Sequence, residues 1–304
     1  MIPAFPAFKI LELSDKEEIA SFTSGESPYS DFNFNSLWSW DVSNERMVSK
    51  LNGNLVIQFT DYVSEALFYS FIGTHEPEDT SLSLIAHAEE NGISPVLRLV
   101  PEGAIGAVNS PLLHIREDRD NFDYVYDVQE LLSLKGAKHK DTRHLVSKFE
   151  RAYAGARFEV GELNNSDVQN SIISVLRRWE REKERKAKDY GLAHEELAIR
   201  RLMQSADPGT LLVGGVFIGD AMIGFSVDEV LPGGYSISHF YKADSSHVGV
   251  YEFLNNKMAA HLDCLGITLW NWEQDLGLSN LRHSKMAYRP VRFLKKFCVS
   301  ATAQ

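Results

Sequence analysis

The sequence predicts an α/β (α+β) protein of two tandem domains, each a mixed, mainly antiparallel sheet flanked by helices. Three observations support this prediction. The 304 residues suffice for two domains of about 150 residues each. Apolar residues make up 44% and charged residues 24% of the chain, which is typical of globular proteins with a buried core. The order helix, helix, three strands, helix, strand, helix, strand occurs in both halves.

In the first half, apolar periodicity and turn residues predict each element. Asn52-Gly53 is typical of a tight hairpin turn, and Asn91-Gly92 follows the end of the longest helix. The predicted helices span residues 14–22, 34–40, 81–90 and 102–108. The predicted strands span residues 47–51, 55–60, 66–71, 94–100, 112–115 and 124–128.

In the second half, Ser166-Asp167 begins a helix whose apolar face carries Ile172, Ile173, Leu176 and Trp179. The most apolar stretch, 209–227, has Gly219-Asp220 between two runs rich in Val, Ile and Phe, so it predicts a hairpin and not a membrane span. Further helices are predicted at 195–203, 250–265 and 279–286. Strands are predicted at 157–161, 211–218, 222–230, 235–241 and 267–272, followed by a last strand.

Charge divides the chain unevenly. Residues 1–134 hold 7 basic and 22 acidic side chains, a net charge of −15, and the remainder holds 24 and 20, a net charge of +4. We expect domains at 1–134 and 156–304, joined by a basic helix at 135–155. The second half is where an anionic ligand would bind.

Three basic clusters lie in that half, at 135–157, 177–188 and 282–296. The first is explained by a basic connecting helix or by RNA binding through Lys138, Lys140 and Arg143. In the second, the spacings Glu182–Lys186 and Glu184–Lys188 favour an exposed helix face. The third contains only basic charges, and ligand binding and simple surface exposure explain it equally well.

Several classes of function are disfavoured. The chain has no GxxxxGK[ST], GxGxxG, HExxH or GxSxG motif, which argues against nucleotide hydrolysis, dinucleotide redox chemistry, zinc proteolysis and serine hydrolysis. Cys264 and Cys298 form no CxxC pair, so no metal site is predicted. The Pro-interrupted start and the absence of a long apolar segment predict a cytoplasmic protein without a transmembrane segment. DNA is not expected as a partner, and the oligomeric state is not predicted.

Four segments carry a family resemblance. The segments YVYDVQELLSLKGAKHKDTRHLVSKFERAY, ELAIRRLM, HFYKADSSHVGVYEFLNNKMA and NWEQDLGLSNLRHSKMAYRP resemble an uncharacterised bacterial family related to the C-terminal domain of phosphatidylglycerol lysyltransferase. The resemblance spans residues 29–297 and is most specific in the last segment. It implies two tandem GNAT-like (acyl-CoA N-acyltransferase) domains. Family members that transfer lysyl or alanyl groups take them from aminoacyl-tRNA and add them to a lipid headgroup.

The resemblance also implies a donor site in the second domain. GNAT-type proteins bind the diphosphate of acyl-CoA at the start of the helix after the third meander strand. Here that place holds Lys242, Ser246, Gly249, Val250 and Tyr251, which keep one glycine of the usual pattern. Acyl-CoA is therefore expected, if at all, as a co-substrate and not as a tightly bound cofactor. The corresponding first-half loop, 73–79, carries three carboxylates and predicts no phosphate site.

Candidate catalytic residues follow strand 267–272. Glu273 is the first candidate for a general base, with Asp275 beside it, and an alternative is that Glu273 pairs with Arg282 or Lys285. Arg282 and Lys285 are also candidates for donor binding. The resemblance places Tyr288 where similar acyltransferases have a tyrosine that protonates the leaving group, although Tyr288 could equally be a packing residue.

An acceptor pocket is predicted from His239 and Tyr241, which alternate on one strand, together with Trp38. A buried core role is the alternative for His239 and Trp38. The leading functional hypothesis is an acyltransferase that moves an acyl or aminoacyl group from acyl-CoA or aminoacyl-tRNA to an amine or hydroxyl. The alternative is a non-catalytic module that binds an anionic small molecule or a protein partner between the domains.

Overall fold

The computed structural model describes residues 1–61, 65–184 and 192–302. Contacts divide the chain into two compact units. Unit 1 comprises residues 1–123, 274–279 and 293–304, and unit 2 comprises residues 124–273 and 280–292. The predicted boundaries at 134 and 155 differ from this division. Strand pairing is the reason, because the first strand after residue 122 pairs in unit 2 and the last strand of the chain pairs in unit 1.

Unit 1 is built on two sheets. The helices are α1 (Lys16–Thr23), α2 (Phe34–Ser39), α3 (Pro77–Glu90) and α4 (Glu102–Ile105), and the strands are β1 (Lys9–Ile10), β2 (Met47–Leu51), β3 (Asn54–Thr60), β4 (Leu67–Ile72), β5 (Leu97–Pro101), β6 (Leu113–Glu117) and β14 (Lys296–Ala301). The four-stranded sheet has the order β1-β2-β3-β4, and the three-stranded sheet has the order β5-β14-β6. Short 3-10 turns lie at Leu13–Asp15, Ser30–Phe32 and Arg119–Asn121.

The hairpin and helix predictions for unit 1 are confirmed with small shifts. Asn52 and Gly53 have positive φ values of 51° and 82°, as a tight turn between β2 and β3 requires. Helix α3 begins at Pro77 and not at residue 81, because proline is favoured in the first helical turn. Its apolar face, with Leu84 and Ile85, packs in a core with Val56 and Phe71.

Unit 2 contains the longer sheet. The helices are α5 (Val128–Ser133), α6 (Lys140–Ala152), α7 (Ser166–Glu184), α8 (Leu192–Ser205), α9 (Val250–Cys264) and α10 (Ser279–Ala287), and the strands are β7 (Asp123–Asp127), β8 (Arg157–Glu162), β9 (Leu211–Ile218), β10 (Ala221–Leu231), β11 (Tyr235–Ala243), β12 (Leu269–Asn271) and β13 (Arg292–Leu294). The sheet has the order β13-β7-β12-β11-β10-β9-β8, and a 3-10 turn lies at Ala137–His139.

The predicted meander at 211–241 is confirmed as β9, β10 and β11, each antiparallel to the next. Helix α9 packs on this sheet, and its Val250, Phe253 and Leu254 share a core with Val146 and Phe149 of α6. The predicted connecting helix at 135–155 is thus part of unit 2. It is shorter than expected and follows the unpredicted helix α5.

Three other predictions concern the cysteines, membrane-spanning helices and the second basic cluster. Cys264 and Cys298 are both free. Among the described residues no helix is long and apolar enough to cross a membrane. The predicted pairs Glu182–Lys186 and Glu184–Lys188, and with them the end of the second basic cluster, lie outside the described residues.

Candidate functional site

A fork in the sheet of unit 2 brings together the candidate site. β11 and β12 are parallel neighbours, and residues 235–237 pair with residues 269–271. The pairing ends there. β12 instead continues along β7, where the Trp272 N–H donates to the Tyr124 carbonyl at 2.9 Å and the Tyr124 N–H donates to the Glu273 carbonyl at 3.1 Å. His239 on β11 and Glu273 after β12 therefore lie on the two sides of the fork.

Two backbone irregularities position these side chains. His239 is the extra residue at a bulge, because Val227 pairs with Phe240 and Asp228 pairs with Ser238. Glu273 has a φ of 55°, a left-handed conformation that is uncommon outside glycine. Its N–H donates to Oδ1 of Asn271 at 2.7 Å, which stabilises this turn. Local strain of this kind is frequent at functional sites.

His239 bridges two glutamates. Its Nε2 lies 2.8 Å from Oε2 of Glu229, and its Nδ1 lies 3.5 Å from Oε1 of Glu273. Burial alone would disfavour the imidazolium, but the two carboxylates outweigh burial and raise the pKa of His239 to about 9. Side-chain exposure is 0% for His239, 11% for Glu229 and 18% for Glu273. These three side chains are largely buried and are called the Glu229–His239–Glu273 relay below. Glu273 is its most exposed member.

This trio is not arranged to hold a metal ion. The two glutamates face opposite nitrogens of one imidazole ring, so the three side chains do not converge on a common centre. No group of three or more His, Cys, Asp or Glu residues suited to a metal occurs in the part of the chain that the structure describes.

A buried carboxylate supports the floor of the fork. Oδ1 of Asp228 accepts a hydrogen bond from Nε1 of Trp270 at 2.8 Å. Burial raises the pKa of Asp228 to about 6, against the opposing effect of its hydrogen bonds. Trp270 is fully buried, so this pair fixes the end of β12 against β10.

An aromatic group lines the open side of the fork. The ring of Trp272 lies 4.1 Å from that of Tyr126, 5.0 Å from that of Tyr288 and 6.3 Å from that of Tyr241. Nε1 of Trp272 is buried and has no hydrogen-bond partner among the described residues. Buried donors are nearly always paired, so this indole N–H is a candidate to bind an oxygen atom of a substrate.

Three partly buried side chains accompany this aromatic group, and together with Trp272 they are called the crevice below. Tyr241, Tyr288 and Glu252 each retain some solvent contact. Burial nevertheless raises the pKa values of all three, those of Tyr241 and Tyr288 well above the usual value. The side chains of Tyr288 and Glu252 interact. Because burial raises the pKa of Tyr288, its phenol is protonated at neutral pH.

The predicted donor loop, residues 242–251, is held by hydrogen bonds among its own residues. A carboxylate oxygen of Asp244 accepts both the backbone N–H of Ser246 at 2.9 Å and its hydroxyl at 2.6 Å. The His247 N–H donates to the Asp244 carbonyl, and the Val250 N–H donates to the His247 carbonyl. The N–H groups of Ser246, His247 and Val250 are thus engaged, and the Asp244 carboxylate lies among them.

The other predicted donor residues have structural partners in unit 2. The Tyr251 hydroxyl accepts the Ala243 N–H and donates to the Ala243 carbonyl. Lys242 pairs with Glu195 at 2.8 Å and lies 4.2 Å from the centre of the Trp179 ring. Gly249 has a φ of 91°, and a Cβ atom there would lie 2.4 Å from the Leu145 carbonyl oxygen. This glycine is required by the close approach of α6.

A family model described as phosphatidylglycerol lysyltransferase, C-terminal, matches residues 25–300. The chain belongs to this family. The predicted family resemblance is therefore confirmed over nearly the whole length of the chain.

Similar solved structures extend this result to the fold. A conserved protein of unknown function from Bacteroides thetaiotaomicron matches with a TM-score of 0.80 at 23% identity, covering 99% of this chain and 100% of the other. L-PGS from Bacillus licheniformis matches with a TM-score of 0.63 at 14% identity, covering 97% of this chain and 95% of the other. FemX matches with a TM-score of 0.54 at 8% identity, covering 96% of each chain. The predicted tandem GNAT-like fold is confirmed.

One curated relative is itself uncharacterised. A protein of Mycoplasmoides gallisepticum is 24% identical over 189 residues. The match covers 61% of this chain and 57% of that protein. Taken together, the phosphatidylglycerol lysyltransferase family and the GNAT-like fold indicate an acyl- or aminoacyl-transferase.

The most specific family segment is divided between the units. Glu273, Lys285 and Tyr288 lie in unit 2, where Nζ of Lys285 donates to the Trp272 carbonyl. Arg282 lies on the same helix as Lys285. Asp275 belongs to unit 1, where it is fully buried, lies 3.4 Å from Arg119 and accepts the Gly277 N–H. These contacts position a turn of unit 1, and a catalytic role for Asp275 stays a prediction.

Two further predictions have a structural outcome. His239 and Tyr241 lie on β11 of unit 2, whereas Trp38 is buried in α2 of unit 1. The third basic cluster is also divided, because Lys295 pairs with Glu117 and Lys296 is buried against Asp31 and Asp123 in unit 1. Lys295 and Lys296 are therefore held by carboxylates, whereas ligand binding by Arg282 and Lys285 stays a prediction.

Sequence reasoning missed four residues of the site: Glu229, Glu252, Trp272 and Asn255, whose side chain hydrogen-bonds with that of Tyr288. A signal for Glu229 was present, because Asp228-Glu229 interrupts the otherwise apolar strand β10. Two adjacent carboxylates in such a strand are rarely buried without a function or a partner. The Trp272 and Asn255 side chains gave no signal, since aromatic and amide residues are common on strands and helices.

Proposed function

We propose that the chain transfers an aminoacyl group from an aminoacyl ester, such as the 3′ end of an aminoacyl-tRNA, to a hydroxyl or amine acceptor in the crevice of unit 2. The observation that carries the proposal is the Glu229–His239–Glu273 relay at the fork between β11 and β12. Because the family description names phosphatidylglycerol, a phosphatidylglycerol hydroxyl is the first acceptor to test.

Glu273 is proposed as the general base. It is the most exposed member of the relay, and the proposal places the acceptor against its carboxylate. The acceptor oxygen or nitrogen attacks the ester carbonyl, and its proton passes to the Glu273 carboxylate. Glu229 holds the imidazolium of His239 in place, and His239 orients the Glu273 carboxylate. Glu229 is thus a positioning residue.

Tyr288 is proposed as the general acid. Its raised pKa keeps the phenol protonated at neutral pH, which suits a group that gives its proton to the leaving alkoxide. The tetrahedral intermediate collapses, the ester C–O bond breaks, and the departing oxygen takes the Tyr288 proton. The proton held by Glu273 then returns Tyr288 to its neutral form through the crevice solvent, so no proton is gained or lost overall.

Trp272 supplies a donor for the developing oxyanion. Its Nε1–H is buried, has no partner among the described residues, and belongs to a ring packed beside Tyr288. One preorganised donor to an oxyanion is worth about a hundredfold or more in rate. The carbonyl oxygen of the bound ester is its expected partner.

The closed donor loop favours an ester over a CoA thioester. The Asp244 carboxylate lies in the loop before α9, where it accepts the N–H and the hydroxyl of Ser246, and its charge would repel a diphosphate. At the start of α3 in unit 1, the Asn54 side chain accepts the His75 N–H at 3.1 Å, and Glu78 and Asp79 follow in the first turn. Both helix starts therefore disfavour the diphosphate of CoA.

A transfer assay tests the proposal. Radiolabelled aminoacyl-tRNA and labelled acetyl-CoA are each supplied with phosphatidylglycerol vesicles and with small amine acceptors, and labelled product is measured. We expect transfer from aminoacyl-tRNA that falls at least about a hundredfold in Glu273→Gln. Acetyl-CoA should give neither product nor a thermal shift, although a ligand at a hundred times its Kd stabilises by about 2.7 kcal/mol.

The matched control is Glu159→Gln, which neutralises a half-exposed carboxylate of unit 2 away from the fork. This variant should retain full transfer. Full activity of Glu273→Gln would remove the site assignment. Absence of transfer from either donor to every acceptor would instead favour the non-catalytic binding module.

A further inference from the structure

Unit 1 contains a cavity where its two sheets separate. Strand β4 is an edge of the four-stranded sheet and β5 is an edge of the three-stranded sheet, whereas the corresponding strands of unit 2, β11 and β12, pair with each other. The cavity has a volume of about 300 Å³ and is lined in part by β3, β4 and β5. All of its lining residues belong to unit 1. Its volume lies at the lower end of the range for small-molecule sites.

A bulge in β5 lies beside the cavity. The register of the pairing between β5 and β14 shifts between Phe297 and Val299, opposite Arg98 and Leu99. Leu99 has a φ of 59°, a left-handed conformation that is uncommon outside glycine. Bulges re-aim side chains, and both Arg98 and Leu99 line the cavity.

Four apolar side chains form part of the wall. The rings of Phe59 and Phe68 are stacked with their centroids 5.5 Å apart, and both residues are buried. Leu99 is also buried, whereas Leu276 is 37% exposed and lies at the open side. Because burial of apolar surface stabilises a complex, this wall favours a ligand with a hydrocarbon part.

Carboxylates outnumber cations in the lining. It contains three carboxylates and one cation: Asp31, Asp61, Asp120 and Arg98. Lys296, behind this lining, is fully buried and is shared between Asp31 and Asp123. Lys296 therefore brings as many further negative charges as it neutralises. The excess of negative charge favours a cationic ligand over an anionic one.

The geometry favours an organic cation over a metal ion. Metal ions such as Ca²⁺ and Mg²⁺ need several oxygen ligands around one centre. No group of three or more His, Cys, Asp or Glu residues is suited to a metal in residues 1–61, 65–184 and 192–302. An ammonium group donates only three hydrogen bonds, and its alkyl chain would contact the apolar wall.

Arg98 lies between two carboxylates. Its Nη1 donates to Oδ2 of Asp61, and its Nε lies 4.0 Å from Oδ2 of Asp118. Asp118 is only 8% exposed, and its Oδ2 has no hydrogen-bond partner among the described residues. Buried acceptors are nearly always paired. Asp118 thus offers a second position for the Arg98 guanidinium.

We propose that this cavity binds an organic ammonium ion, the protonated form of a primary amine on a short alkyl chain. The ammonium group replaces the Arg98 guanidinium on Asp61, and Arg98 moves onto Oδ2 of Asp118. The alkyl chain packs against Leu99 and Leu276. Binding involves no covalent step. The site lies in unit 1, and the inference does not rest on the transfer reaction proposed for unit 2.

Isothermal titration calorimetry of the full chain tests the proposal. The probes are n-pentylamine, 1-pentanol and pentanoate, which are similar in size and are cationic, neutral and anionic. We expect pentylamine to bind at least about tenfold more tightly than pentanol, because hydrogen bonds between charged groups are the stronger ones. Pentanoate should not bind. Equal affinity for the amine and the alcohol, tighter binding of pentanoate, or no binding of pentylamine at millimolar concentrations would overturn the site.

Two variants locate the binding. Asp61→Asn removes the carboxylate that receives the ammonium group and should weaken pentylamine binding about tenfold or more. Leu276→Trp fills the open side of the cavity and should also abolish most of the binding. The matched control is Glu117→Gln, which neutralises a half-exposed carboxylate of unit 1 that is paired with Lys295 and does not line the cavity. It should bind like the unaltered chain.

Melting temperatures establish that each variant is folded. If Asp61→Asn does not fold, Leu276→Trp decides the outcome by itself, since its side chain is partly exposed. Undiminished pentylamine binding by a folded Leu276→Trp variant would place the amine elsewhere and overturn the proposal.

The movement of Arg98 has its own readout. In proton–nitrogen correlation spectra, the Nε–H signal of Arg98, identified by its absence in Arg98→Lys, should shift when pentylamine is added. The shift should be much smaller in Asp118→Asn. An Arg98 signal that stays in place at saturation would overturn the exchange of partners on Asp61.

Failure of the proposed function is a separate result. Pentylamine binding that depends on Asp61, without any aminoacyl transfer, would leave this site standing and remove the reaction. Aminoacyl transfer without pentylamine binding would remove this site and leave the reaction.

Discussion

Nδ1 of His239 lies 3.5 Å from Oε1 of Glu273, across the point where two parallel strands separate. His239 is the unpaired residue of a bulge, and Glu273 has a left-handed backbone. Neither side chain would point into the fork from a regular strand. The contact is thus the product of two local irregularities on neighbouring strands.

This contact predicts a pH dependence. The pKa of His239 is raised to about 9, above its unfolded value of about 6.5. Its protonation therefore contributes stability that is fully present below about pH 6.5 and is lost as the pH rises through about 9, on the order of 3 kcal/mol. NMR titration of the ring of His239 should give the raised pKa, and Glu229→Gln should lower it. Titration of the unaltered chain near pH 6.5 would contradict the relay.

Substitution of Lys296 should strongly reduce the stability of unit 1. It is fully buried, with Nζ 2.6 Å from Asp123 and also in contact with Asp31. Lys296→Met would leave two buried carboxylates without their cation and should destabilise unit 1 by about 3–5 kcal/mol. The control is Lys295→Met, whose partner Glu117 is half-exposed, so its loss should change stability far less.

Urea unfolding measures this difference. Adding Asp31→Asn and Asp123→Asn to Lys296→Met should recover part of the lost stability, because the uncompensated charges are removed. Equal effects of the two single lysine variants would show that burial of the ion group contributes nothing.

Replacement by phenylalanine should reduce stability at Trp270 but hardly change it at Trp272. Trp270→Phe removes the donor to buried Asp228 and should destabilise the chain by about 1–3 kcal/mol. Trp272→Phe removes a buried N–H that has no partner among the described residues, so stability should change by less than about 1 kcal/mol. Thermal unfolding compares the two.

The transfer assay completes that comparison. In the proposed mechanism Trp272→Phe should lower kcat by about a hundredfold while the protein stays folded. A stable Trp272→Phe variant with unchanged kcat would show that the indole N–H does not bind the reacting carbonyl.

Substitution of Gly249 should reduce the stability of the fold and should not act through donor binding. A Cβ atom at this position would lie 2.4 Å from the Leu145 carbonyl oxygen, and its φ of 91° disfavours any other residue. Gly249→Ala should destabilise the chain by about 2–4 kcal/mol. Gly155→Ala is the control, because nothing lies within 4 Å of its added Cβ. Equal melting temperatures for the two variants would contradict the close packing of α6 and α9.

Much of the fold was predictable because it depends on local patterns. Alternating apolar residues and the Gly219-Asp220 turn predicted the β9–β10 hairpin, and Asn52-Gly53 predicted that of β2 and β3. The division into units was not predictable in this way. The last strand, β14, pairs with β5 and β6 of unit 1, and such pairing depends on contacts between distant segments that leave no local signal.

The sequence alone determined the family, the order of elements and two members of the site, Glu273 and Tyr288, because these depend on residue types at fixed positions along the chain. Only the tertiary structure decided that His239 joins Glu273 to Glu229, that Asp244 closes the donor loop, and that Asp275 belongs with Arg119. The physical reason is that pKa values, burial and charge compensation depend on neighbours in space, and those neighbours come from strands and loops far apart in the sequence.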